Sequence, residues 1–192
     1  TLHEVIPEFH NTVQRYHNLE AAVQADAAGR VGQLAKELCW VRERKKYYGT
    51  ITEALAAGEI PVRVTHNDTK VNNILLDPIT GQGICVVDLD TVMPGSSLYD
   101  FGDAIRVGAA TQAEDCPQPE RMHLNPALFD AFVRGYITGA RGKLTGEESR
   151  RMPWGAWIMT VENGIRFLTD YIEGDVYYRI HRPDQNLDRA RA

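Results

Sequence analysis

Apolar residues recur at helical spacing over most of the chain, interrupted near its middle by three short continuous runs. Leu2, Val5, Ile6 and Phe9 open the helical pattern, and Pro7 puts a break or a fresh start there. Val13, Tyr16 and Val23 resume it, with Asn11 or Thr12 as cap and Gly29 as end. Val31, Leu34, Ala35, Leu38 and Val41 predict a second helix, and residues 51–57 a third that stops at Gly58. A helical stretch is expected over 104–110. Asn125-Pro126 reads as cap and first residue of a helix faced by Leu128, Phe129, Phe132, Val133, Tyr136 and Ile137 and closed by Gly139. Thr145-Gly-Glu-Glu148 is a capping box. Pro153 is expected to begin the longest helix, with Trp154, Trp157, Ile158, Val161, Ile165, Leu168 and Ile172 on its core side and Gly174 as stop. The tail, 179–192, is polar and partly basic, with no terminator.

The three apolar runs, 61–64, 74–76 and 84–87, have strand length. Between the second and third, Pro78-Ile-Thr-Gly-Gln-Gly carries the residues that close a hairpin. A symmetric hairpin pairs 77 with 84, 75 with 86 and 73 with 88, so Asn73 opens the ladder where Asp88 closes it. Directly opposed residues have Cα atoms about 4.5–5.5 Å apart. An amide oxygen and a carboxylate that close, with Asp68 on the adjoining loop, form a hard oxygen site suited to Mg²⁺.

The spacing His66-x-Asp68-x-Lys70-x-x-Asn73, with a strand-terminal Asp fifteen residues after the Asn, fits the catalytic-loop template for phosphoryl transfer. In that template the first Asp takes a hydroxyl proton, while the Asn and the second Asp hold metal on the phosphates. Lys70 is placed to offset charge on the transferring group, and His66 to brace the loop from beneath. Asp100-Phe-Gly looks like a competing metal triplet but lies twenty-seven residues past Asn73, after a Pro-Gly-Ser-Ser loop. Asp100 therefore reads as a helix N-cap or a buttress for the loop. Asp90 falls on the opposite face from Asp88 by strand alternation.

Thr65-His-Asn-Asp-Thr-Lys-Val-Asn-Asn, Val87-Asp-Leu-Asp-Thr-Val-Met-Pro-Gly and Tyr99-Asp-Phe-Gly-Asp resemble the aminoglycoside phosphotransferase and choline kinase superfamily, and within it the N-acetylhexosamine 1-kinases. The resemblance implies Asp68 as base, Asn73 and Asp88 as metal ligands, ATP with Mg²⁺ as donor, and a sugar hydroxyl, the anomeric one, as acceptor. It implies an acceptor pocket built by the later helices, reached by Arg166 with Tyr177. On its own spacing, Arg166 reads as a surface ion pair with Glu162 or Asp170, each one turn away. The fold expected is α+β and predominantly helical: a protein-kinase-like C-terminal lobe over 1–192, with a small β-hairpin carrying the catalytic and metal residues.

Such an enzyme also needs a strand-rich lobe with a phosphate-covering turn. The 65 residues before His66 read as helices, no G-x-G-x-x-G occurs, and Gly139-Ala-Arg-Gly-Lys-Leu fails the P-loop pattern. The ATP-binding N-terminal lobe is thus expected elsewhere in the same protein, and the isolated chain is expected to be inactive. Two other classes compete. A glycosyltransferase would use Asp88-Leu-Asp90 as its metal motif, but leaves His66, Asp68 and Asn73 unexplained. A non-catalytic acceptor-binding module would explain the missing half of the ATP site.

A length of 192 residues, 43% hydrophobic and 24% charged, describes one ordinary globular domain. A net charge of −5 argues against nucleic acid or an anionic membrane as partner. Cys39, Cys85 and Cys116 form no C-x-x-C pair, which points to a reduced, cytoplasmic protein. No run reaches the roughly 20 apolar residues that span a bilayer. His3, His10 and His17 fall at intervals of seven, but Pro7 breaks their register, so they read as satisfied or exposed; the resemblance offers the alternative that His10 and Asn11 line the sugar pocket. Arg42-Glu-Arg-Lys-Lys reads as a solvated helix face, and Trp154 and Trp157 as core before any sugar platform.

Overall fold

The structure, a computed structural model, describes residues 2–192. It is predominantly helical, as the apolar spacing implies, with two small antiparallel ribbons where one hairpin was expected. Helix α1 (Thr12–Ala25) is capped by Asn11, whose side chain accepts the Gln14 amide at 3.0 Å. It ends at Asp26 in a left-handed conformation, so Gly29 shapes the following turn and is not the stop. The predicted second helix divides into a short 3₁₀ turn (Val31–Gln33) and α2 (Ala35–Glu43), followed by α3 (Thr50–Ala56).

Helix α6 (Gly146–Glu173) organises the core. It begins at the capping box: Thr145 accepts the Glu148 amide, and the Glu148 carboxylate accepts the Thr145 amide. The expected start at Pro153 is therefore corrected. With its first turn already satisfied at Thr145, the helix runs through Pro153, whose ring points to solvent and whose missing N–H deprives only one carbonyl of a partner. One stretch of α6 packs Val161, Ile165, Leu168 and Ile172 against Tyr16 and Leu19 of α1 and Leu38 and Val41 of α2. Another packs Met152, Ile158 and Met159 against Ile51, Leu98, Phe101 and Ile105. Trp157 touches both clusters, whereas Trp154, expected in the core, is 36% exposed and lies against Tyr47.

Helix α4 (Ser97–Gly108) starts earlier than expected because Ser96 caps it, accepting the Leu98 amide. It meets α6 backbone to backbone. A Cβ on Gly102 would lie 2.1 Å from the Gly155 carbonyl oxygen, and one on Gly155 would lie 2.6 Å from that of Leu98. Helix α5 (Pro126–Gly139) is capped by Asn125 as predicted, but its apolar face is only half covered, leaving Leu128 and Ile137 exposed. The polar tail is docked by α7 (Gln185–Arg191), with Leu187 buried. Asp170 holds the connection: its carboxylate accepts the amides of Val176, Tyr177 and Tyr178 and the Asn186 side chain. Among the described residues no helix is long and apolar enough to cross a membrane.

Glu148 gives the fold an acid-sensitive point. Burial would raise its carboxyl, but Arg63, Thr145 and Ser97 together hold it down at about 2. In the unfolded chain it titrates near the ordinary 4.5, so between these values the unfolded state binds more protons than the folded one. The stabilisation is full above about pH 4.5 and is lost as pH falls toward 2. Glu148→Gln is expected to flatten the fall in urea midpoint over that interval.

Candidate active site

The site is built where the two ribbons meet the N-terminal end of α4. Strand β1 (Arg63–Thr65) pairs antiparallel with β4 (Met93–Gly95), a strand the sequence reading placed in a loop. Pro94 hides it in the sequence, yet a strand with a single partner tolerates a missing N–H. Gly95 is required by the close approach of β1, since a Cβ there would lie 2.3 Å from Thr65 Oγ1.

Residues 66–70 leave β1 as a loop whose backbone is held at every polar group from His66 to Asp68. Asp100, in the first turn of α4, accepts the His66 amide at 3.0 Å and the Asn67 amide at 2.7 Å. This is the buttress role; the capping role belongs to Ser96. Burial pushes the Asp100 carboxyl up, partly offset by those two amides. Thr91 donates to the His66 carbonyl, and Thr69 donates to that of Asp100. His66 Nδ1 accepts the Asp68 amide at 3.3 Å, so its proton is on Nε2, which donates to the Val87 carbonyl at 3.0 Å. His66 thus braces the loop against the ribbon, as expected. Asn67 is buried in a left-handed conformation with φ of 64°, its side chain tied to Thr65 and Thr91.

This framework presents Asp68 half-buried, its carboxylate 24% exposed. Asp68 Oδ2 accepts Lys70 Nζ at 2.8 Å and Asn73 Nδ2 at 2.9 Å, and Asn73 Nδ2 also reaches the Asp68 carbonyl at 2.8 Å. The structure therefore brings three of the expected residues together, with Lys70 on the Asp68 carboxylate itself.

The hairpin of β2 (Ile74–Leu76) and β3 (Gly83–Val86) corrects the predicted register by one residue. Ile74 pairs with Val86 and Leu75 with Cys85, followed by a bulge between Leu75 and Leu76. The turn closes at Asp77, whose amide donates to the Gln82 carbonyl, and Gly81 takes a φ of 69°. Asn73 consequently faces Val87, whose amide donates to the Asn73 carbonyl at 2.9 Å. Asp88 follows immediately, in a left-handed conformation with φ of 63°, at the same end of the ribbon as Asn73. Asp88 is exposed, and so is Asp90 in the next short turn.

Among the described residues neither the Asp88 carboxylate nor Asn73 Oδ1 takes part in a protein hydrogen bond, and Asn73 has already spent its N–H on Asp68. Two hard oxygen donors at one ribbon end fit Mg²⁺ coordinated mainly by water and phosphate. Among the described residues there is no cluster of three His, Cys, Asp or Glu side chains able to hold a metal by themselves.

Arg166 does not form the expected surface ion pair, because Glu162 and Asp170 are both buried and engaged elsewhere. Its guanidinium lies between the rings of Phe9, at 5.5 Å, and Tyr178, at 5.6 Å. Tyr178, not Tyr177, is the aromatic residue at this point; Tyr177 is 72% exposed beside it. His3 and His17 are exposed, while His10 is buried with both ring nitrogens engaged, so it does not line a pocket. The roles of Asn67, Thr91 and His10 escaped sequence reading, since each depends on partners more than twenty residues away.

A half-buried carboxylate held by two donors on a braced loop has the chemistry to orient a hydroxyl and accept its proton. The sequence profile of the phosphotransferase enzyme family (APH) matches residues 1–151, more than three quarters of the chain.

Proposed function

Because the chain belongs to the phosphotransferase enzyme family, we propose that it carries the base, metal and acceptor sites of an ATP-dependent kinase acting on the anomeric hydroxyl of an N-acetylhexosamine. The observation that carries this reading is the Asp68 carboxylate bound to Asn73 at the ribbon end where Asp88 emerges. Asp68 orients the acceptor hydroxyl and takes its proton as the phosphoryl group transfers. Lys70, 2.8 Å from the Asp68 carboxylate, holds it in place until substrate arrives and can then turn to the transferring group. Asn73 Oδ1 and Asp88 would hold Mg²⁺, which when bound neutralises charge on the ATP phosphates. Arg166 is assigned as a donor to acceptor hydroxyls, together with Tyr177; in support, its guanidinium lies between the rings of Phe9 and Tyr178, with Tyr177 beside the latter.

The sugar preference rests on the likeness of three motifs to N-acetylhexosamine 1-kinases. The ATP-binding lobe is assigned to another part of the same protein. In support, these 192 residues contain no Gly-rich phosphate motif, and the ribbon beside the site exposes Leu75, Ile84 and Val86 by half or more. Three free cysteines fit a reducing, cytoplasmic setting.

The test is ADP release by the enzyme complete with its nucleotide-binding lobe, screened over N-acetylhexosamines, aminoglycosides, choline and homoserine. Release that depends on an N-acetylhexosamine and yields an anomeric phosphate is expected; dependence on another acceptor overturns the sugar assignment, and no release with any acceptor overturns the kinase assignment. In the same assay Asp88→Asn is expected to raise the Mg²⁺ concentration at half-maximal rate at least about tenfold, since one charged oxygen of a two-ligand site is lost. An unchanged Mg²⁺ requirement would remove Asp88 from the metal site.

A further inference from the structure

Beneath the Asp68 loop, the segment before α1, helix α6 and the loop itself meet at one buried histidine. His10 is 9% exposed and enclosed by the rings of Phe9 and Tyr99, at 4.5 and 4.9 Å. Its Nδ1 lies 2.8 Å from Glu162 Oε1, and its Nε2 lies 2.8 Å from the Asn67 carbonyl oxygen. Glu162 is fully buried, and its other oxygen accepts the Thr12 hydroxyl at 2.6 Å. Burial alone would raise the Glu162 carboxyl, but His10, the Thr12 hydroxyl and the charge of Arg166 outweigh it and hold the group below its ordinary value. Glu162 is thus a carboxylate, and an ionised carboxylate and a carbonyl have no proton to give. Both ring nitrogens of His10 therefore face acceptors, and Nε2 donates to the Asn67 carbonyl.

The carbonyl that His10 holds belongs to the peptide bond joining Asn67 to Asp68. Every other polar group of Asn67 is already committed: its amide to Asp100, its side chain to Thr65 and Thr91. Its left-handed backbone is unfavourable for a residue with a Cβ and persists only where the surroundings over-determine it. We propose that His10 is a positioning residue for phosphoryl transfer: paired with Glu162 and donating to the Asn67 carbonyl, it locks the turn that aims Asp68. Glu162 lies one turn before Arg166 on α6, so the same pair sets the base relative to the acceptor side. This inference rests on the reading of Asp68 as the base.

The test compares two substitutions in the enzyme complete with its nucleotide-binding lobe. His10→Phe keeps ring shape and packing but removes both ring nitrogens. His10→Gln loses ring packing but offers an amide with two N–H groups. His10→Phe is expected to lower kcat on the order of 100-fold while leaving the KM for ATP within about twofold, because only the aim of the base changes. His10→Gln should stay within about tenfold of the unaltered kcat. The reverse order would show that His10 merely fills space and would overturn the proposal. His10→Phe leaves Glu162 buried without its hydrogen-bond partner, so His10→Phe/Glu162→Gln is measured alongside; a folded double variant with undiminished kcat is equally fatal. Amide hydrogen exchange at Asp68 supplies a readout independent of turnover: His10→Phe should speed it and His10→Gln should not. Should Asp68→Asn prove fully active, the base assignment fails; intact Asp68 dependence with unchanged exchange in His10→Phe removes only the role of His10.

Discussion

Asp68→Asn, made in the enzyme with its nucleotide-binding lobe, should lower kcat on the order of 10³-fold, the range expected when a positioned base is removed. The substitution keeps the size and planar shape of the side chain but removes the charge proposed to take the proton. It also turns an acceptor toward Lys70 and Asn73 into a group that competes with them as a donor. The fold should be indifferent. The Lys70 side chain is 38% exposed and that of Asp68 24%, so their ion pair contributes at most about 1 kcal/mol. The expected result is a near-native urea midpoint, an unchanged KM for ATP, and collapse of turnover in an ADP-release assay. A variant with native kcat would transfer the base to another group.

Gly102→Ala should be the most damaging single methyl group for the fold. Its Cβ would sit 2.1 Å from the Gly155 carbonyl oxygen, a backbone atom that no side-chain rotation can move aside. Helices α4 and α6 must separate, opening the cluster of Leu98, Phe101, Ile158 and Met159. Overpacking of this kind costs about 3 kcal/mol or more, a large share of the stability of one domain. The consequence reaches the site, because Asp100 stands two residues before Gly102 on the same helix and holds the His66 and Asn67 amides. Urea denaturation should show the loss directly, and kcat should fall even where enough folded protein remains to assay. Gly135→Ala provides the control: a Cβ there meets nothing within 4 Å, and it should be neutral or slightly stabilising.

The helices were legible because their signals are local. The capping box at Thr145, Asn125-Pro126 at the start of α5 and Gly174 at the end of α6 each depend on neighbours within a few residues. Pro153 misled because a proline near a helix start resembles a first residue, and only the box eight residues earlier decides between the two. The candidate site loop was legible for a related reason: Asp68, Lys70 and Asn73 lie within six residues, so a single turn of the chain brings them together. The hairpin put Asn73 and Asp88 at one end, but the turn closes at Asp77 and Gln82, tighter than a symmetric 77–84 pairing, and the bulge between Leu75 and Leu76 recovers only one of those two residues; bulges carry no reliable local mark. Long-range partners were out of reach. Nothing near His10 announces Glu162, 152 residues away, and nothing near Arg166 distinguishes Tyr178 from Tyr177 as the ring against it.

The most direct measurement is phosphorus NMR of the complete enzyme incubated with ATP, Mg²⁺ and an N-acetylhexosamine, followed in parallel for Asp68→Asn and Asp88→Asn. A sugar phosphate resonance coupled to the anomeric proton should grow with the unaltered enzyme as the γ-phosphate signal declines, and should be absent or nearly so in both variants. Formation of that product at an undiminished rate by either variant would contradict the assignment of base and metal ligand to this loop and ribbon.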